Sequence, residues 1–182
     1  MIMFVLLFFY LLAPFSLASD KEADKSSGAS SPSPEQKPNP AAKRITDAVV
    51  KAGVQSCADR VNHVTNFLTA GSRSGAILFE PPSEPDKRLV SISLGLAMKG
   101  GKVAYASESF APNQANGCGG VYETMVYWEA GCADVAKAQF SALKKYGVLV
   151  NSIIVLEGSP GLKVFLMPAG KGCVAIKKEV LN

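Results

Sequence analysis

Few residues in this chain have the types and spacing that chemistry needs. His63 is the only histidine, so a Ser-His-Asp or Cys-His mechanism would have to run through it. No Gly-x-Ser-x-Gly elbow accompanies it, and on its helix it falls off the apolar stripe, at an edge or surface. One histidine cannot build a two- or three-histidine metal site. The cysteines, Cys57, Cys118, Cys132 and Cys173, are separated by 61, 14 and 41 residues. A zinc site wants close pairs and a redox couple wants Cys-x-x-Cys; neither occurs. Gly117-Cys118-Gly119-Gly120 has glycines but no Lys-Ser/Thr behind it, so it lacks the mechanics of a phosphate loop and reads as a tight turn. The expectation is no metal and no cofactor. The remaining catalytic route is a pair of carboxylates of the kind that flanks a glycosidic bond. Glu108, Glu123 and Glu129 lie on or beside strand-like segments and would carry it. Charges alternating along a strand are more commonly its solvent face, so a small secreted carboxylate-dependent hydrolase stands as the alternative reading.

The cysteines carry a different message. Ser-Cys-Ala-Asp (56–59) and Gly-Cys-Ala-Asp (131–134) each open a helical stretch, and Gly117-Cys118 and Gly172-Cys173 each open a strand. Between them each half holds an apolar strand that ends in glutamate, Glu80 and Glu157. The order of elements agrees as well as the letters, which predicts two pseudo-repeats of a helix and three strands, about 54–130 and 131–182. Symmetry then favours the disulfides Cys57–Cys118 and Cys132–Cys173. The pairing Cys57–Cys132 with Cys118–Cys173 stays open, because connectivity does not follow from sequence.

The elements that must position these residues follow from periodicity. Asn39-Pro40 is a helix start, and Ile45, Val49, Ala52, Cys57, Val61, Val64 and Leu68 keep one helical face, with a break at Gly53 and a stop at Gly71. GAILFE (75–80) reads as a strand, and residues 89–98 alternate cleanly. Lys99–Lys102 is a hairpin turn, and residues 103–110 return, with a small-residue face shared between the two strands. APNQANGCGG (111–120) reads as a loop and VYETMVYWE (121–129) as a strand. A helix from Cys132 keeps its spacing as far as Tyr146 and ends at Gly147. Residues 148–157 form one strongly apolar strand; 162–167 and 173–180 are the last two. The fold class is α+β, helices packed on mainly antiparallel sheet and stapled by disulfides.

Residues 2–18 are apolar and uncharged, with Ser16 and Ala18 at the small-residue positions of a signal-peptidase cut. Residues 1–18 therefore read as a signal peptide or an uncleaved anchor, and 19–44 as a Ser/Pro/Lys/Glu-rich disordered linker. Residues 45–182 are one domain. The linker takes 5 of the 19 basic and 4 of the 15 acidic residues, which leaves the domain 14 against 11. No basic stripe is present, so no nucleic-acid partner is expected, and membrane contact only through the N-terminal segment. The chain is placed in the periplasm or outside the cell, where disulfides persist.

The function these features leave is an exported, non-catalytic protein-binding module: an inhibitor, an immunity-type protein or an accessory of an envelope assembly. Its contact residues are sought at Asn113, Gln114 and Asn116, in a loop next to a cysteine. Tyr122, Tyr127 and Trp128 join them, because Tyr and Trp dominate interface energetics. Alternation sets Tyr122 and Trp128 on one face and Tyr127 on the other. The proline-rich loop 80–88 is a second contact candidate. A homodimer is also open, since VLVNSIIVL (148–156) would be hazardous at an exposed edge and belongs at the centre of the sheet or against a second copy.

Overall fold

The computed structural model describes residues 39–181; the expected signal segment (1–18) and most of the expected linker (19–44) lie outside the described residues. The order is helix α1 (Pro40–Lys51), α2 (Ala58–Thr69), strands β1 (Arg73–Phe79), β2 (Val90–Ala97), β3 (Val103–Asn113) and β4 (Gly117–Trp128). Then come α3 (Cys132–Gln139), β5 (Lys144–Leu149), β6 (Ile153–Glu157), β7 (Leu162–Ala169) and β8 (Gly172–Leu181). The strands make one antiparallel sheet in the order β1-β2-β3-β4-β8-β7-β6-β5. Strands β1–β4, preceded by α1 and α2, and β5–β8, preceded by α3, are each a four-strand meander, and the two meet along β4 and β8. The fold is α+β, as expected, but with four strands to each half.

Asn39 caps α1, its Oδ1 accepting from the amide of Ala41 at 3.0 Å, and Pro40 takes the first helical position. The helix thus takes in residues 40–44. Gly53, at φ +91°, turns the chain from α1 towards α2, a conformation costly for any side chain. A second device fixes that turn. Asp86 accepts from the amides of Gln55 and Ser56 at 2.6 Å each and from the Ser56 hydroxyl at 2.9 Å. Those bonds, the Ser56 amide first, hold its carboxyl below the ordinary 3.8. Within the 80–88 loop, Asp86 therefore ties down the entry to α2, while Glu84 pairs with Lys87 at 2.6 Å.

Both helical layers lie on one face of the sheet. Beneath α1 and α2, Val49, Val61, Val64 and Leu68 pack on Val90, Ile92, Leu94, Leu96, Ala104, Ala106 and Phe110. Beneath α3, Val135 packs with Leu156, Val164, Leu166, Cys173 and Ala175. Each disulfide pins a helix start to the last strand of its own half: Cys57–Cys118, Cα atoms 5.3 Å apart, and Cys132–Cys173, 5.0 Å. The symmetric pairing is the one formed and the crossed alternative is not. Closing loops of this length constrains the unfolded chain by about 4 kcal/mol each in the chain-entropy account. The two disulfides point to an oxidising compartment, periplasmic or extracellular. Among the described residues no helix is long and apolar enough to cross a membrane.

Four local expectations are corrected. Residues 111–120 are not a loop: Ala111 pairs with Gly119, Pro112 with Cys118 and Asn113 with Gly117, so the β3–β4 ladder runs on to a three-residue turn. Pairing satisfied those backbone groups despite turn-forming letters. The helix from Cys132 ends at Gln139, and residues 144–149 are the edge strand β5. The apolar run 148–157 is not one strand, central or otherwise. It folds back at Val150 and Asn151, at φ +47° and +57°, into the β5–β6 hairpin at the sheet edge. The edge is guarded by Lys144, Lys145 and a register shift between Lys145 and Gly147. The small-residue face shared by β2 and β3 is also absent. Their register sets Leu94 and Leu96 opposite Ala106 and Ala104 on the covered face, and on the other sets Gly95 opposite Tyr105 beside the small pairs Ser91–Ser109 and Ser93–Ser107.

Candidate functional site

The sequence-predicted residues cluster on and around β4, and alternation divides them between the two faces of the sheet. On the helix-covered face, Tyr122 is buried at the seam between the halves. Its hydroxyl donates to Glu179 of β8 and accepts from the Lys177 ammonium at 2.9 Å. Lys177 lies 3.5 Å from Glu179 and 5.3 Å from the ring centres of both Phe67 and Tyr122. Burial, then the hydrogen bond to Glu179 and its charge, hold the Tyr122 phenol well above the usual tyrosine range. A cleft of about 410 Å³ opens over this cluster, with exposed His63 at its lip and Leu162 and Leu181 on its far side. His63 is at the surface, as its position off the apolar stripe implied.

Glu108 lies one strand further in, opposite Tyr122 in the β3–β4 register, and is fully buried. Its Oε1 accepts from the Thr65 hydroxyl at 2.5 Å, while Oε2 has no hydrogen-bond partner. Burial raises its carboxyl to about 7, against the lowering effect of Thr65. Glu123 points out of the opposite face, accepting from Ser107 Oγ at 3.2 Å and pairing with Lys178 at 3.5 Å. Glu129 is exposed past the end of β4. The three carboxylates share no cleft, and the two nearest are separated by the sheet itself. A glycosidic bond cannot lie between them. Among the described residues no group of histidine, cysteine and carboxylate side chains could hold a metal ion.

Of the loop candidates, Asn113 is structural. Asn113 Oδ1 accepts from the amides of Ala115 and Asn116 at 2.9 Å each, an Asx turn that closes the β3–β4 hairpin. Gln114 and Asn116 are exposed at its tip. Trp128 lies against the second core, with Lys102 stacked 4.3 Å over its ring. Tyr122 and Trp128 share a face and Tyr127 takes the other, as alternation required.

That other face is the one without helices. Reading across the strands, Tyr105, Met125, Ile176 and Phe165 form one row, and Val103, Tyr127, Val174 and Met167 the next. Among the described residues no element packs on it: Val103 is 72 % exposed, Tyr127 48 %, Tyr105 42 % and Met125 37 %. Alongside runs a polar row, Ser107, Glu123, Lys178 and Lys163, and beyond it Val121 and Val180. Strand alternation made Tyr127 readable as a candidate. The rest of the belt was hidden in the sequence, because β4 and β8 become neighbours only through the topology. No protein family, curated protein or solved structure matches this chain.

Proposed function

We propose that the chain is an exported protein-binding module whose contact surface is the open face of the sheet, centred on β4. The observation that carries this reading is the belt itself. Eight apolar side chains on four adjacent strands are contiguous and uncovered, a pattern that marks interaction surfaces in soluble proteins. The disulfides, the lysine-guarded edge strand and the helix-filled opposite face supply a rigid frame for it. The experiment immobilises the full exported chain and presents it with envelope and secreted extract and, separately, with soluble copies of itself. Met125→Asp places a charge at the centre of the belt without touching either core, and should abolish whatever the unsubstituted chain retains. Retention unaffected by the substitution, or no retention at all, overturns the reading.

The same frame supports a duplicated origin, with a unit of one helix and four strands. Pro112 pairs with Cys118 and Pro168 with Cys173, so each half ends in a hairpin whose proline faces its disulfide cysteine. Setting Cys118 on Cys173 sets Glu123 on Lys178, and these two are direct partners in the β4–β8 register. A two-fold axis normal to the sheet through that pair relates the halves.

A further inference from the structure

We infer that the occupant of the open face is a second copy of this chain, stacked face to face about a two-fold axis that runs along the strands over the β4–β8 seam. The inference rests on the binding reading above and names its partner. Two in-plane axes through the seam could bring identical faces together. An axis across the strands lays each row on itself strand by strand, so Glu123 meets Glu123, Lys178 meets Lys178 and Lys163 meets Lys163. It also turns the apolar belt onto the serine-bearing side of the face, where Tyr105 would meet Ser109. An axis along the strands exchanges β4 with β8 and β3 with β7. Glu123 then meets Lys178 of the other copy, and Lys178 meets its Glu123. Met125 falls on Ile176, Tyr105 on Phe165, Tyr127 on Val174 and Val103 on Met167, apolar on apolar throughout.

With the axis over the Glu123–Lys178 pair, the charges and the belt both select the direction along the strands. The geometry is isologous, the commonest closed symmetry for a homo-oligomer. It stacks two twisted sheets in the aligned manner of a sandwich, strand directions about 30° apart and inner side chains interleaved. Buried in the contact, the Glu123–Lys178 pairs complete a four-charge ring that excludes the other orientation, since like charges brought together there are strongly disfavoured.

Sedimentation of the full exported chain tests this, because the charges permit a swap. In Glu123→Lys, both positions of the central pair carry lysine, so each copy sets lysine against lysine across the contact. In Lys178→Glu both carry glutamate, and each copy sets glutamate against glutamate. Either variant alone should weaken dimerisation by at least about 100-fold. Mixed in equal amounts, the two lysines of one variant face the two glutamates of the other, and dimers should return as mixed pairs. Far-ultraviolet circular dichroism and the unfolding midpoint of each variant confirm that the fold is kept. A monomeric unsubstituted chain at about 100 µM, a concentration that would populate even weak micromolar dimers, overturns the inference. So does a mixture that associates no better than its components. If the chain is monomeric yet Met125→Asp still abolishes capture from extract, the second copy is excluded and the binding reading stands. If neither association nor capture depends on the face, both fall.

Discussion

Glu108 sits where a carboxylate costs stability, and its ionisation should be visible in the pH dependence of folding. Unfolded, the carboxyl titrates near its ordinary 4.5; folded, it titrates near 7. Between those values the native state binds the extra proton, so stability falls as pH rises through the window and is level above it. A separation of about 2.5 pKa units corresponds to about 3 kcal/mol lost between roughly pH 5 and pH 8. The cause is structural. The side chain is fully buried between α2 and β3, with one hydrogen bond from Thr65 and no partner for Oε2. Glu108→Gln keeps the shape and an acceptor for Thr65 but cannot ionise. Urea unfolding at pH 5, 6, 7 and 8 should show the native chain weakening by about 3 kcal/mol across the series, with that fall absent from the variant. The comparison is between slopes, so any constant cost of the unpartnered amide cancels. Equal slopes in the two proteins would refute the reasoning. They would mean that the site admits water or a counter-charge when Glu108 ionises.

The remaining expectations are structural. A Cβ on Gly172 would sit 2.2 Å from the Trp128 carbonyl oxygen and 2.5 Å from the Tyr127 hydroxyl. Gly172→Ala should therefore cost several kcal/mol, of the order of 3, in a denaturant titration, and a loss below about 1 would show that the β4–β8 ladder yields easily. Val150 holds φ +47° at the tip of the β5–β6 hairpin and is 88 % exposed. Val150→Gly should raise stability by about 1 kcal/mol, read as a higher unfolding midpoint; an unchanged or lower midpoint would mean that the turn relaxes in solution. The core under α1 and α2 has fifteen buried residues and that under α3 has six. Native-state hydrogen exchange should find α3, β5 and β6 opening at lower free energy than β2 and β3. The reverse order, or one common opening, would show that the halves do not melt as units.

Legibility in the sequence followed the range of the interactions. The α1 start at Asn39-Pro40, the break at Gly53, the clean alternation of β2 and the disulfides Cys57–Cys118 and Cys132–Cys173 are each present in the fold. Residues 144–157 misled because periodicity alone cannot separate a buried strand from an edge hairpin with an apolar tip. Ala138, Ala142 and Tyr146 kept a helical spacing while Lys144–Leu149 paired with β6 instead. The loop-like letters of 111–120 misled for the opposite reason: Pro112 and Gly119 sit in a ladder that only their partners across the hairpin reveal. Of the candidate site, Tyr127 could be found by counting alternate residues along β4. Ile176, Phe165 and Met167 could not, because nothing in the sequence states that β8 lies beside β4.

The seam where β4 meets β8 differs on its two faces. On the covered face the helices bury Tyr122, Cys173 and Ala175, while among the described residues no element packs on the open face. At its centre the covered side carries Tyr122, Lys177 and Glu179, bonded to one another, and the open side carries Glu123 and Lys178. Polar partners at the seam also fix the β4–β8 register, since a one-residue slip would send Lys177 and Glu179 to the open face and bring Lys178 under the helices. A protein that needed only to join its halves could have kept this polarity along the whole open face, as antiparallel sheets facing water do. The belt from Val103 to Met167 departs from that rule across the seam, on β3, β4, β8 and β7. The edge strand β5 begins with two lysines instead. The belt thus places apolar surface where a two-fold contact would bury it, while Lys144 and Lys145 begin an edge strand whose Tyr146, Val148 and Leu149 stay exposed.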